Sequence, residues 1–139
     1  MKRAALLLAL CLTACAPISD ATVADTTIAG RFTPEHPVAL TNLTLADGRY
    51  RVTYSLTIYA ADRGVPRTRL ACSVVDVSGR LSDLPGLVTG VPTNKWVRVA
   101  ATDVFELPDL TMGIRCYPDR DADLTVVVRD VVLAAEPTG

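Results

Sequence analysis

The chain has 139 residues, half of them apolar, 21% charged and only 5% aromatic, with a formal net charge of -1. That length builds one domain around one core and leaves no room for a second, and the apolar content excludes a disordered body. Fourteen basic residues against fifteen acidic ones form no basic stripe of the kind phosphate backbones demand, which argues against a nucleic-acid binder.

At the N-terminus, Lys2 and Arg3 precede the apolar run AALLLALCL, the layout of a secretory leader. A bilayer-spanning helix takes about 20 apolar residues, and this run is cut short by the polar stretch APISDATVAD. Between them stands Leu12-Thr13-Ala14-Cys15, which resembles the lipobox of bacterial lipoproteins: an apolar residue, two small ones that fit a peptidase, then a thiol. Cys11 is a poor rival, because bulky Leu10 precedes it. The resemblance implies that residues 1–14 are a helical signal peptide and that Cys15 carries a diacylglycerol. Two acyl chains hold a protein stably at a membrane, at about 0.8 kcal/mol per buried methylene. It also implies a cell-envelope protein whose domain lies outside the cytoplasm. Ala16 is not the aspartate that resembles an inner-membrane retention signal, so the outer membrane is expected in a bacterium with two membranes.

Residues 15–35 are small and polar without a sustained period, and read as a lipidated, flexible tether. From 36 to 136 the apolar residues recur at period 2. A first strand covers Val38 to Leu45. In RYRVTYSLTIYA, Tyr50, Val52, Tyr54, Leu56 and Ile58 share one face and the arginines, threonines and serine share the other, after an ADG turn. Leu70, Cys72 and Val74 are in phase, as are Leu110, Met112, Ile114 and Cys116. KWVRVAATDVFEL puts Val97 and Val99 in phase, with an irregularity expected near Ala100 and Ala101. In DLTVVVRDVVLA the phase slips between Val128 and Val131, so a bulge at Arg129 and Asp130 is needed for both apolar sets to face one core. No segment outside the leader sustains a helical period. The expected fold is an all-β antiparallel sandwich of about seven or eight strands, some of them short.

With Cys11 lost in the leader and Cys15 lipidated, Cys72 and Cys116 remain in an oxidising compartment, where an even pair is most simply a disulfide. Zinc is the competing reading, but two thiols and the single histidine, His36, fall short of four ligands. Both cysteines lie on the inward phase of their strands, as a bridge across a sandwich core requires. It would close a loop of about 45 residues and stabilise the fold by about 4 kcal/mol.

The succession DGRYRVTYSLTIYA, LACSVVD, KWVRVAATDVFEL and LTVVVRDVVLA, over Leu45 to Ala134, resembles a carbohydrate-binding module or galactose-binding-like jelly roll. That resemblance implies a jelly-roll sandwich and a glycan as ligand. Sugar sites offer an aromatic platform beside carboxylates or amides. Tyr59 and Tyr117 are the tyrosines on the polar phase of their strands, and Trp96 is a third candidate, although a tryptophan opening a strand more often packs in a core. Tyr50 and Tyr54 belong to the apolar face. Asp119, Asp121 and Asp123 have the spacing that begins a calcium loop, but Leu124 stands where such a loop wants glycine, so a solvated turn is the simpler reading and no metal is expected.

Catalysis finds little support: His36 stands alone, and no nucleophile elbow or phosphate-cradling glycine loop is present. The acids Asp103, Glu106 and Asp109 read as a solvated cluster. The expectation is a non-enzymatic envelope lipoprotein that binds a cell-envelope or extracellular glycan. The alternative is one that binds an envelope protein or has a structural role. No cofactor is expected beyond the lipid on Cys15.

Overall fold

A computed structural model describes residues 18–79, 84 and 87–138, and these form nine strands and no helix. In chain order they are β1 (Ser19–Val23), β2 (Thr26–Phe32), β3 (Val38–Leu45), β4 (Gly48–Asp62), β5 (Leu70–Asp76), β6 (Thr89–Val91), β7 (Trp96–Leu107), β8 (Leu110–Pro118) and β9 (Ala122–Pro137). The leader and lipobox, with Cys15, lie outside the described residues.

The strands build two antiparallel sheets. One runs β1-β9-β4-β7 with β2 also on β9, and the other runs β3-β8-β5-β6. Val23 pairs with Val131 and Thr26 with Val128, so β1 and β2 are one interrupted strand along β9. Taken as one, they leave eight strands in which first pairs with last, second with seventh, third with sixth and fourth with fifth. That nesting is a long antiparallel hairpin wrapped into two sheets. The fold is a jelly roll.

Between the sheets lies one core, and β4 supplies Tyr50 to Ala60 at every second position, as its alternation requires. Tyr54 crosses it completely. Its hydroxyl donates to the Leu87 carbonyl at 2.7 Å, with the Cys72 carbonyl at 3.1 Å and Thr89 Oγ1 at 3.3 Å, so a side chain of one sheet is bonded to the backbone of the other. Burial pushes the phenol pKa up, which keeps it a donor.

Three expectations change. The tether is shorter than residues 15–35, because Ser19–Val23 and Thr26–Phe32 are edge strands of the larger sheet. Their alternation is masked: inward residues are odd-numbered to Val23 and even-numbered from Thr26, with the break at Ala24 and Asp25. Ala100 and Ala101 make no irregularity, since β4 and β7 stay in register from Gly48 and Leu107 to Tyr59 and Trp96. Small Ala101 and polar Asp103 occupy the inward phase there and hide it. The disulfide joins Cys72 and Cys116, but they are register partners on β5 and β8 of one sheet, so it does not span the two. The bulge on β9 is present, with Asp130 at φ 53°.

Replacing both Cys72 and Cys116 with alanine should lower the unfolding free energy by about 2–4 kcal/mol in urea titration. Peptide mapping of unreduced protein should recover the two as one linked pair; alkylation of either thiol would contradict the bridge.

Candidate functional site

The outer face of the larger sheet carries the aromatic side chains in register. Tyr59 on β4 stands opposite Trp96 on β7, with ring centroids 5.5 Å apart and planes tilted by 58°. Trp96 is 44% exposed. From β9, the Arg129 guanidinium lies 4.5 Å from the centre of the indole, an exposed cation-π contact worth about 0.5–1 kcal/mol. Arg129 reaches it because the bulge follows immediately: Thr57 still pairs with Arg129, two positions from the pair of Tyr59 with Val127.

One pair further along, the face drops to small side chains. Ala61 pairs with Thr125, and Thr125 with Ala29, forming the floor of an open groove of about 810 Å³. Its rim is Arg31, Asp123 and Arg63. Arg31 and Asp123 make an exposed ion pair at 3.6 Å, of the kind that contributes about 0–1 kcal/mol. A smaller cleft of about 370 Å³ continues past this rim toward Arg120 and the Gly64 to Pro66 stretch.

Hydrogen bonds hold the loops that frame the groove. Asp62, buried at the end of β4, accepts from the Thr68 amide at 2.6 Å and the Gly64 amide at 2.8 Å, closing the loop that presents Arg63. Asn94 sits at φ 63°, a left-handed conformation that asparagine tolerates better than most residues. There its amide donates to the Ala60 carbonyl at 2.7 Å, and its side chain exchanges bonds of 3.0 and 2.9 Å with the Asp62 backbone. Trp96 follows two residues later and lands opposite Tyr59. The Thr68 amide, and then that of Gly64, hold the Asp62 carboxyl below the usual carboxylate range.

Tyr59 and Trp96 therefore come together, and Tyr117 does not. Tyr117 lies on β8, on the outer face of the smaller sheet, where Arg115 reaches the Thr41 carbonyl at 3.1 Å and Asn42 Oδ1 at 2.7 Å. Arg115 lies across Gly113, where a β-carbon would collide with it. Trp96 is at the surface, contrary to the expectation of core packing, and parity could have placed it: Val97 and Val99 face inward, so Trp96 faces out. Two of the three aspartates of the calcium reading have other partners. Asp119 accepts from the Arg69 amide at 3.1 Å and Asp123 pairs with Arg31, and no metal-holding group of acids, histidines and cysteines occurs among the described residues. His36 sits in an exposed turn, its amide bonded to Thr33 Oγ1 at 3.0 Å. No local pattern marks the arginines, because strand pairing brings Arg31 and Arg129 to this face and the loop after β4 adds Arg63.

No protein-family profile and no curated protein matches the chain. Solved structures share its fold. Infectious bursal disease virus T=1 particles match with a TM-score of 0.61 at 12% identity, over 87% of this chain and 31% of that one. The Gx strain of infectious bursal disease virus matches with a TM-score of 0.58 at 9% identity, over 88% of this chain and 33% of that one. The chain thus spans about a third of the solved chains it matches, and at such identities the likeness is one of fold alone. The CBM22-1-GH10 modules of a Clostridium thermocellum endo-1,4-beta-D-xylanase, complexed with xylohexaose, reach a TM-score of 0.49 at 12% identity, over 85% of this chain and 24% of that one, too slight a likeness to bear on function.

Because the Asp62 carboxyl is depressed in the folded state, its contribution to stability is present above the unfolded value of about 4. It is lost as pH falls through the lower folded value. Asp62→Asn should cost about 1–3 kcal/mol at neutral pH and flatten the loss of stability between pH 5 and 2 in denaturant titrations. An unchanged acid limb would assign that loss to other groups.

Proposed function

We propose that the protein is a non-catalytic envelope lipoprotein whose jelly roll binds a glycan on the outer face of the larger sheet. The observation that carries this reading is the exposed Trp96 ring held against Tyr59 at 5.5 Å, beside a groove floored by Ala29, Ala61 and Thr125. An aromatic platform stacks on the C–H faces of a pyranose, and Asp123 and Thr125 supply the polar groups that hydroxyls need. The protein-binding alternative would want a continuous apolar patch. Among the described residues, the exposed large apolar side chains other than Trp96 are instead scattered: Ile18 before β1, Val65 in the β4–β5 loop, Val77 after β5, Val88 before β6 and Val104 late in β7.

Lipidation at Cys15 fits this arrangement. Cys15 precedes the start of β1 at Ser19 by four residues, a reach of about 14 Å at most. Ser19 pairs with Ala135 at the end of the sandwich where β4 begins, whereas Arg31, Asp123 and Arg63 stand at the end where β4 finishes. A lipid on Cys15 therefore holds the Gly48 end close to the bilayer and turns the groove outward.

Two experiments test the reading. In a glycan panel, Trp96→Ala should weaken binding by about tenfold; failure of the protein to bind any glycan, or an indifferent Trp96→Ala, overturns the binding proposal. Cys15→Ser should abolish incorporation of a labelled fatty acid and release the protein from the membrane fraction, and persistent attachment would refute the anchor.

A further inference from the structure

Arginines border the groove and the aromatic pair. Four arginines flank the aromatic pair: Arg98 and Arg129, both in register with Thr57 on one side, and Arg31 and Arg63 at the groove rim on the other. Of the acids nearby, Asp123 lines the groove itself, Asp62 and Asp121 line the cleft beyond its rim, and Asp25 lies beside the bulge. Asp123 pairs with Arg31, and Asp25 accepts from the Asp130 amide at 3.3 Å. Over the whole sequence acids outnumber bases by fifteen to fourteen, whereas the groove lining itself holds Arg31 and Arg63 against the single acid Asp123. Among the described residues neither Arg63 nor Arg98 has an ion-pair partner.

The spacing suits an extended ligand. From the pair of Thr57 with Arg129, through Tyr59 with Val127 and Ala61 with Thr125, to Asp123 is three double steps along β9, about 20 Å. Cationic groups thus stand at both ends of a strip with aromatic rings and small side chains between them. A neutral sugar chain would use the middle of that strip and leave the arginines at its ends without a role.

We propose that the ligand of this face is an acidic glycan, its rings stacked at Trp96 and Tyr59 and its anionic groups met by Arg63 at one end and Arg98 with Arg129 at the other. This rests on the glycan-binding reading above. Arg129 leaves the indole face when the ligand arrives, exchanging an exposed cation-π contact for a stronger charge-assisted bond to the anion. The same departure uncovers the ring for stacking.

Calorimetric titration of the purified protein tests this with oligogalacturonate against its methyl ester, and dextran sulfate against dextran. At least one acidic member should bind about tenfold more tightly than its neutral counterpart and weaken with added salt; the pair that responds tells carboxylate from sulfate. Arg63→Ala and Arg98→Ala should weaken the acidic ligand by a larger factor than the neutral one, and Trp96→Ala should weaken both alike. Equal binding of acidic and neutral partners would overturn the acidic class and leave glycan binding standing. No binding to any of the four would overturn both, as would tighter binding of oligothymidylate, which would make the face a nucleic-acid surface.

Discussion

Every side chain on β9 beyond Asp130 owes its direction to a single step out of phase there. Alternation has period 2, so a strand kept strictly in phase with Leu124, Val126 and Val128 would turn Val131, Leu133 and Ala135 to solvent. The bulge reverses the parity, and both sets are buried. Its effects reach the neighbouring strand: Ala24 and Asp25 lie alongside, separating β1 from β2, and the Asp25 carboxylate accepts the Asp130 amide. Arg129, the last outward residue before the step, is the one that covers Trp96.

One covalent tie lies within the smaller sheet, and one side chain crosses from the larger sheet to it. The disulfide consolidates β5 and β8 within the smaller sheet, facing inward where no water reaches it. Tyr54 then ties the larger sheet to the smaller, with its hydroxyl among the Cys72 and Leu87 carbonyls and the Thr89 hydroxyl. A buried phenol without partners would be costly, and here it is satisfied by the strands beside the bridge. The interior is thereby fixed from one layer to the other, and the outer faces are free to carry chemistry.

On the larger sheet that freedom is used at one end. The Asn94 side chain binds the Asp62 backbone and its amide the Ala60 carbonyl, which sets where β7 begins and places Trp96 against Tyr59. Asp62 also closes the loop that brings Arg63 to the rim. The outer face of the smaller sheet differs, because Arg115 lies over Gly113 and fills the space beside Tyr117. The two outer faces thus differ, one carrying an open groove and the other filled by Arg115.

The sequence by itself determined the all-β class, the Val38–Leu45 strand, the strict alternation from Tyr50 to Ile58, the pairing of Cys72 with Cys116 and the bulge at Arg129 and Asp130. These follow from local parity and from counting thiols, which need no knowledge of neighbours. Tertiary structure decided that Ser19 to Phe32 is an edge strand, since one half-buried face with a break in phase looks like a polar linker when its partner is unknown. It decided that the disulfide stays within one sheet, because parity tells which way a residue points but not which strand lies beside it. It decided the site too: register sets Trp96 beside Tyr59 and leaves Tyr117 on the opposite face, and gathers arginines from positions 31, 63, 98 and 129. Such a face is assembled by pairing between strands far apart in the chain, and no local pattern encodes it.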